Sequence, residues 1–142
     1  MKKYKIHFAP VQGITDWTYR NMHAKFFGGV DAYYTPFIRV EKEDSFRSRD
    51  IKDCDPELNS VELLVPQVLG GEPMELDVCL QMLEGRGYKQ VDINMGCPFT
   101  MISRRGKGAG LLPHPERVEA LMEVVKDFPE IQCSVKMRLG WE

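Results

Sequence analysis

Apolar and polar residues alternate along Gln90–Met95, with Val91, Ile93 and Met95 set against Asp92 and Asn94, and the alternation stops at Gly96-Cys97-Pro98. A period of two predicts a strand with one apolar and one polar face. Gly96 tolerates a backbone angle or close approach that a side chain would forbid, and Pro98 fixes the exit. Cys97 is therefore expected at the carboxyl end of a strand, where parallel α/β folds place their chemistry. The same period returns over residues 131–138, where Ile131, Cys133, Val135 and Met137 alternate with Gln132, Ser134, Lys136 and Arg138. Shorter apolar runs at residues 6–11, 32–37 and 63–69 predict three more strands.

Between these strands the period changes to that of a helix. Leu76, Cys79, Leu80 and Leu83 fall at i, i+3, i+4 and i+7 behind Pro73, and Val118, Leu121, Met122 and Val125 repeat the spacing behind His114-Pro115. Thr15 or Asp16 is placed to cap a further helix with Trp17, Met22 and Phe26 on its apolar side, stopped by Gly28-Gly29. Residues 39–62 are polar without a period and predict a long loop carrying short helical pieces.

Strands separated by helices imply parallel pairing through right-handed crossovers, in a doubly wound sheet or a (β/α)8 TIM barrel. Gln67, Asn94 and Lys136 each fall near the carboxyl end of a successive strand. In a barrel they converge on the central mouth, so the α/β barrel is the expected fold. A complete barrel takes about 250 residues. The 142 residues present therefore predict an amino-terminal portion of about five strands, without the carboxyl-terminal half.

Composition narrows the function. A 43% hydrophobic and 28% charged chain is that of a globular protein without a membrane span, and a net charge of -2 excludes a chain that is basic all over. Any nucleic-acid contact must come from local patches, and Arg104, Arg105 and Lys107 form one in a glycine-rich loop. Without a G-K-[S/T] ending it reads as a mobile lid rather than a phosphate loop, its basic residues meeting an RNA backbone or water. Four cysteines without a C-x-x-C pair point to a reducing, cytoplasmic setting. His7, His23 and His114 lack metal-ligand spacing, so no metal is expected. Cys97 on residue type alone reads as a buried structural thiol; its Gly-Cys-Pro setting argues the other way.

Several motifs occur in a fixed order: Ala9-Pro10-Val11-Gln12-Gly13-Ile14-Thr15-Asp16 with Tyr19-Arg20, Pro66-Gln67-Val68-Leu69-Gly70, Asp92-Ile93-Asn94-Met95-Gly96-Cys97-Pro98, Gly106-Lys107-Gly108-Ala109-Gly110-Leu111-Leu112, and Val135-Lys136-Met137-Arg138-Leu139-Gly140-Trp141. Together they resemble the tRNA-dihydrouridine synthases. The stretch Thr35-Pro36-Phe37-Ile38-Arg39-Val40 is similar to bacterial members that act on the tRNA D-loop.

The resemblance implies a barrel enzyme that uses FMN and NADPH to reduce a uridine in tRNA, with hydride delivered to C6. It implies that Cys97 is the general acid protonating C5 and that Gln67 and Lys136 contact the flavin. It also implies that the backbone around Pro10 and Val11 lines the flavin edge, and that Asn94 and Arg138 hold the uracil. The family usually carries methionine where this chain has Val11. A lysine beside the flavin pyrimidine would stabilise negative charge on the reduced ring, which agrees with this assignment. Two other classes stand beside it: an FMN barrel acting on a free pyrimidine, like dihydroorotate dehydrogenase, and an inactive fragment or RNA-binding remnant. The expected partner is tRNA, and strands left unpaired at both edges predict self-association of the isolated chain.

Overall fold

The computed structural model describes residues 4–140; Lys2, Lys3 and Trp141 lie outside them. The strands are β1 (His7–Phe8), β2 (Ala32–Tyr34), β3 (Leu64–Val65), β4 (Gln67–Val68), β5 (Gln90–Met95) and β6 (Gln132–Met137). The helices are α1 (Trp17–Phe26), α2 (Ser48–Asp53), α3 (Pro73–Gly85), α4 (Thr100–Ser103) and α5 (Pro115–Lys126). All pairings are parallel, in the orders β1-β2-β3 and β4-β5-β6.

The single strand expected over residues 63–69 is split because Pro66 has no N–H to give the ladder. Its carbonyl still accepts from Asp92 N at 2.9 Å, and Ile38 bridges across to Gln67 and Leu69 at 2.8 Å each. Among the described residues the strand order follows the sequence and never reverses, as it would in a doubly wound sheet. Register puts Asp92 beside Ser134 and Asn94 beside Lys136 on one face, with Ile93 beside Val135 on the other. The apolar face of β5 packs under α3 and α5, where Val91, Ile93, Leu76, Leu80, Leu83 and Leu121 are fully buried. Each such side chain contributes about 1.5–3 kcal/mol of burial.

The start of α1 is capped by Asp16, whose carboxylate accepts from Tyr19 N at 2.9 Å, and Thr15 turns back to Val11 instead. The expected apolar side of α1 is not its buried side. Met22 and Phe26 are exposed, and the buried residue is Arg20. Its guanidinium donates to the carbonyls of Thr15 and Asp53 and to Asn59 Oδ1, and lies 3.6 Å from the Asp53 carboxylate. This helix is anchored by a buried polar hub, a feature that an apolar period cannot reveal. The polar stretch after β2 is folded as expected into short pieces: a 3-10 turn at Lys42–Asp44, then α2. Among the described residues no helix is long and apolar enough to cross a membrane.

Candidate active site

The carboxyl ends of β4, β5 and β6 open into a cleft of about 240 Å³. Pro10, Val11, Gln67, Asn94, Cys97 and Lys136 all line it, with Phe37 and Gln12 beside them. Arg138 is exposed one residue beyond β6 and is not part of this wall.

One hydrogen-bonded chain orders the floor. Asp92, buried on the polar face of β5, accepts from Ser134 Oγ at 2.7 Å and from Gln67 Nε2 at 2.7 Å. An ionised carboxylate only accepts, so the Gln67 amide must turn its nitrogen toward Asp92 and its oxygen outward. That oxygen accepts from Asn94 Nδ2 at 2.8 Å. Asn94 Oδ1 then accepts from the backbone N–H groups of Gly96 at 3.1 Å and Cys97 at 2.9 Å. Asp92 thus sets the direction of both amides, and Asn94 pins the turn that presents the thiol. Burial pushes the Asp92 carboxyl above the usual carboxylate range, against the opposing pull of Ser134, Gln67 and Lys136.

The opposite wall is the turn after β1. Val11 N–H donates to Thr15 Oγ1 at 2.8 Å, and the Val11 carbonyl accepts from Ile14 at 3.0 Å and Thr15 at 3.1 Å. The turn is satisfied within itself, so Val11 gives the cleft its exposed side chain. Gln12 differs: both its amide nitrogen and its amide oxygen are buried and have no hydrogen-bond partner.

The loop after Cys97 is packed rather than lid-like. Ile102, Ser103 and Gly108–Leu111 are buried, and Ala109 N donates to the Cys97 carbonyl at 3.0 Å. Gly108 has φ +57, and a Cβ there would sit 2.8 Å from the Cys97 carbonyl oxygen; one at Gly110 would sit 2.1 Å from that of Ser103. These glycines serve close approach to the cysteine and to α4. Lys107 is held by an ion pair with Glu75. Burial opposes ionisation of Glu75, but its bonds from Lys107 and from the backbone N–H of Gly71 outweigh that and lower its pKa. Arg104 and Arg105 are exposed and line a separate groove of about 530 Å³ with His114 and Arg117. Arg117 is tied to Glu72 at 2.6 Å and to the Gly71 carbonyl at 2.8 Å.

Cys54 and Cys79 are buried, whereas Cys97 is half-buried at the cleft. Burial pushes Cys54 up to about 11 and Cys79 up to about 12, and raises Cys133 as well. A thiol that stays protonated and buried does not react. Iodoacetamide at mildly alkaline pH is therefore expected to label Cys97 first in the folded protein, with Cys54 and Cys79 labelled only on unfolding. Peptide mass mapping checks this, and early labelling of Cys79 would contradict it.

Three residues of this region, Asp92, Gln12 and Arg117, have parts in the structure that their place in the sequence does not assign. Asp92 shares the two-residue period of Asn94, so its position was legible. The orphaned amide of Gln12 and the anchoring of Arg117 depend on contacts across the fold and had no signal in the chain. Among the described residues no group of three His, Cys, Asp or Glu side chains is placed to hold a metal ion.

The profile of the family described as Dihydrouridine synthase (Dus) matches residues 7–142. The chain belongs to the dihydrouridine synthase family. It is 30% identical over 135 residues to tRNA-dihydrouridine synthase B of Serratia marcescens, an alignment covering 94% of this chain and 39% of that protein. It is 29% identical to tRNA-dihydrouridine synthase B of Klebsiella pneumoniae, over 94% of this chain and 41% of that protein. To the protein named probable tRNA-dihydrouridine synthase 1 of Synechocystis it is 28% identical, over 94% of this chain and 37% of the relative. The chain thus spans about two-fifths of the length of these dihydrouridine synthases.

Proposed function

We propose that this chain is the amino-terminal part of a (β/α)8 barrel that reduces uridine in tRNA to dihydrouridine, with FMN as the bound cofactor and NADPH as reductant, in the cytoplasm. The sequential, all-parallel strand order supports the barrel. The observation that carries the function is the meeting of Cys97, Gln67, Asn94 and Lys136 in one cleft at the carboxyl ends of neighbouring strands. A flavin ring fits the donor set there: Gln12 offers an unpartnered buried amide, and Lys136 brings a cation to a wall otherwise built from Pro10, Val11 and Phe37.

FMN, held by Gln67, Lys136 and the Pro10-Val11 turn, would supply the hydride for C6 of the uracil. Cys97 gives its thiol proton to C5 and recovers one from solvent, so the ring gains two hydrogens and the thiol is restored. Asn94 holds the turn that fixes the thiol, and Lys136 stabilises negative charge at the pyrimidine edge of the cofactor. Gln67 has one amide hydrogen beyond its bond to Asp92, which remains for a ring contact. Substrate choice tests this reading. With FMN and NADPH present, unmodified tRNA is expected to drive NADPH oxidation while orotate and free uracil do not. Turnover on the free pyrimidines and none on tRNA would favour a dihydroorotate dehydrogenase-like enzyme.

Arg104 and Arg105 are free to meet phosphates, whereas Lys107 is committed to Glu75. The Arg104→Ala, Arg105→Ala double variant is expected to weaken tRNA binding and to lower the salt slope by about 0.9 for each phosphate of a duplex stem that is no longer neutralised. Lys107→Ala is expected to leave the slope unchanged. Filter binding over a salt series distinguishes them, and an unchanged slope for the double variant would remove these arginines from the interface.

A further inference from the structure

We infer that the carboxamide of Gln12 recognises a cyclic imide edge, the adjacent C=O and N–H shared by uracil and by the pyrimidine ring of a flavin. This rests on the proposed function and deepens it. Three primary amides line the cleft, and two already use both their nitrogen and their oxygen within the protein: Gln67 with Asp92 and Asn94, and Asn94 with Gln67 and the Gly96-Cys97 backbone. Only Gln12 keeps both its donor and its acceptor buried and unpaired. Leaving such groups without partners is costly, and native proteins do so where something else completes the bonding.

The kind of ligand follows from what would satisfy both atoms. A phosphate meets only Nε2 and a guanidinium only Oε1. An imide edge meets both, its N–H donating to Oε1 and its carbonyl accepting from Nε2. The backbone that carries Gln12 is also fixed, because its turn is closed by the Val11–Thr15 bonds and Thr15 is in turn held by buried Arg20. Preorganisation of this kind lowers the cost of binding.

The test uses ring probes that need no phosphate site. Lumiflavin and 3-methyllumiflavin are titrated by fluorescence, and uridine and 3-methyluridine by ligand-detected NMR, against the wild-type protein and Gln12→Met. N3-methylation removes the imide proton. It is expected to weaken wild-type binding by at least about fivefold for one of the two rings and to make no difference in Gln12→Met. Sensitivity in the lumiflavin pair assigns Gln12 to the cofactor, and sensitivity in the uridine pair assigns it to the substrate. The ligand-free Gln12→Met protein is expected to melt no lower than wild type, since the variant removes unsatisfied groups. Equal binding of methylated and parent rings by wild type would overturn the inference while leaving tRNA reduction by Cys97 standing. Binding of neither ring by wild type would likewise overturn the inference, while the proposed function is tested separately by tRNA-driven NADPH oxidation.

Discussion

Replacing Cys97 with alanine is expected to cut the rate of uridine reduction by about 10²-fold or more, the scale of losing a positioned general acid, while FMN binding stays nearly unchanged. The second half follows from how Cys97 is attached. Its ties to the fold run through the backbone, from its N–H to Asn94 Oδ1 and from Ala109 N to its carbonyl. Alanine keeps both. Cys97 is half-buried at the cleft and packs against Phe37, Leu69 and Ile102, and alanine removes only its sulfur from that contact. Stopped-flow oxidation of the reduced protein by tRNA reads the effect directly, and equal rates for variant and wild type would remove Cys97 from the reaction.

The largest effect on stability is expected at Arg20. Its side chain is 0% exposed and that of Asp53 only 3%. Arg20→Ala strips the Thr15 and Asp53 carbonyls and Asn59 of a donor and leaves the Asp53 carboxylate buried without its cation. Breaking a buried pair by removing one partner costs about 3–5 kcal/mol. Arg20→Lys keeps the charge but cannot reach the same acceptors with a planar fork, so it is expected to fall between wild type and alanine.

The pH dependence carries a sign. Burial already raises Asp53 above the usual carboxylate range despite the pull of Arg20. A carboxyl whose folded pKa lies above its unfolded value binds more protons when folded, so stability falls as pH rises between those two values. Without Arg20 that window widens, and the deficit of Arg20→Ala is expected to shrink at acidic pH. Urea midpoints across a pH series measure this. A loss below about 1 kcal/mol, the scale of an exposed pair, would mean that the hub does not hold α1. Because Arg20 holds Thr15 and Thr15 holds Val11, the same variant is expected to loosen the wall carrying Gln12.

Much of this arrangement was legible in the chain because period and punctuation are local. The alternation along Gln90–Met95, the break at Gly96-Cys97-Pro98, and the helical stripes of α3 and α5 required no knowledge of partners, whereas the split at Pro66 was not foreseen. The cleft residues Gln67, Asn94, Cys97 and Lys136 were expected together because each lies at or just past the carboxyl end of a successive strand, and in a barrel those ends converge on the mouth. What the sequence hid depends on non-local pairing. Met22 and Phe26 looked like a core stripe because nothing nearby shows that Asp53 and Asn59 would draw Arg20 inward. Lys107 looked like a free cation until Glu75, far from it in sequence, took it up. The glycine-rich loop around it read as a mobile lid, and its glycines are points of close packing.

The most direct measurement is of the product. The protein carrying these residues, supplied with FMN, NADPH and unmodified tRNA, is expected to form dihydrouridine, seen as a mass gain of two hydrogens on a uridine after nuclease digestion. The Cys97→Ala protein is expected to form little or none. Wild-type protein that binds FMN and oxidises NADPH but leaves every uridine at its original mass would contradict the account.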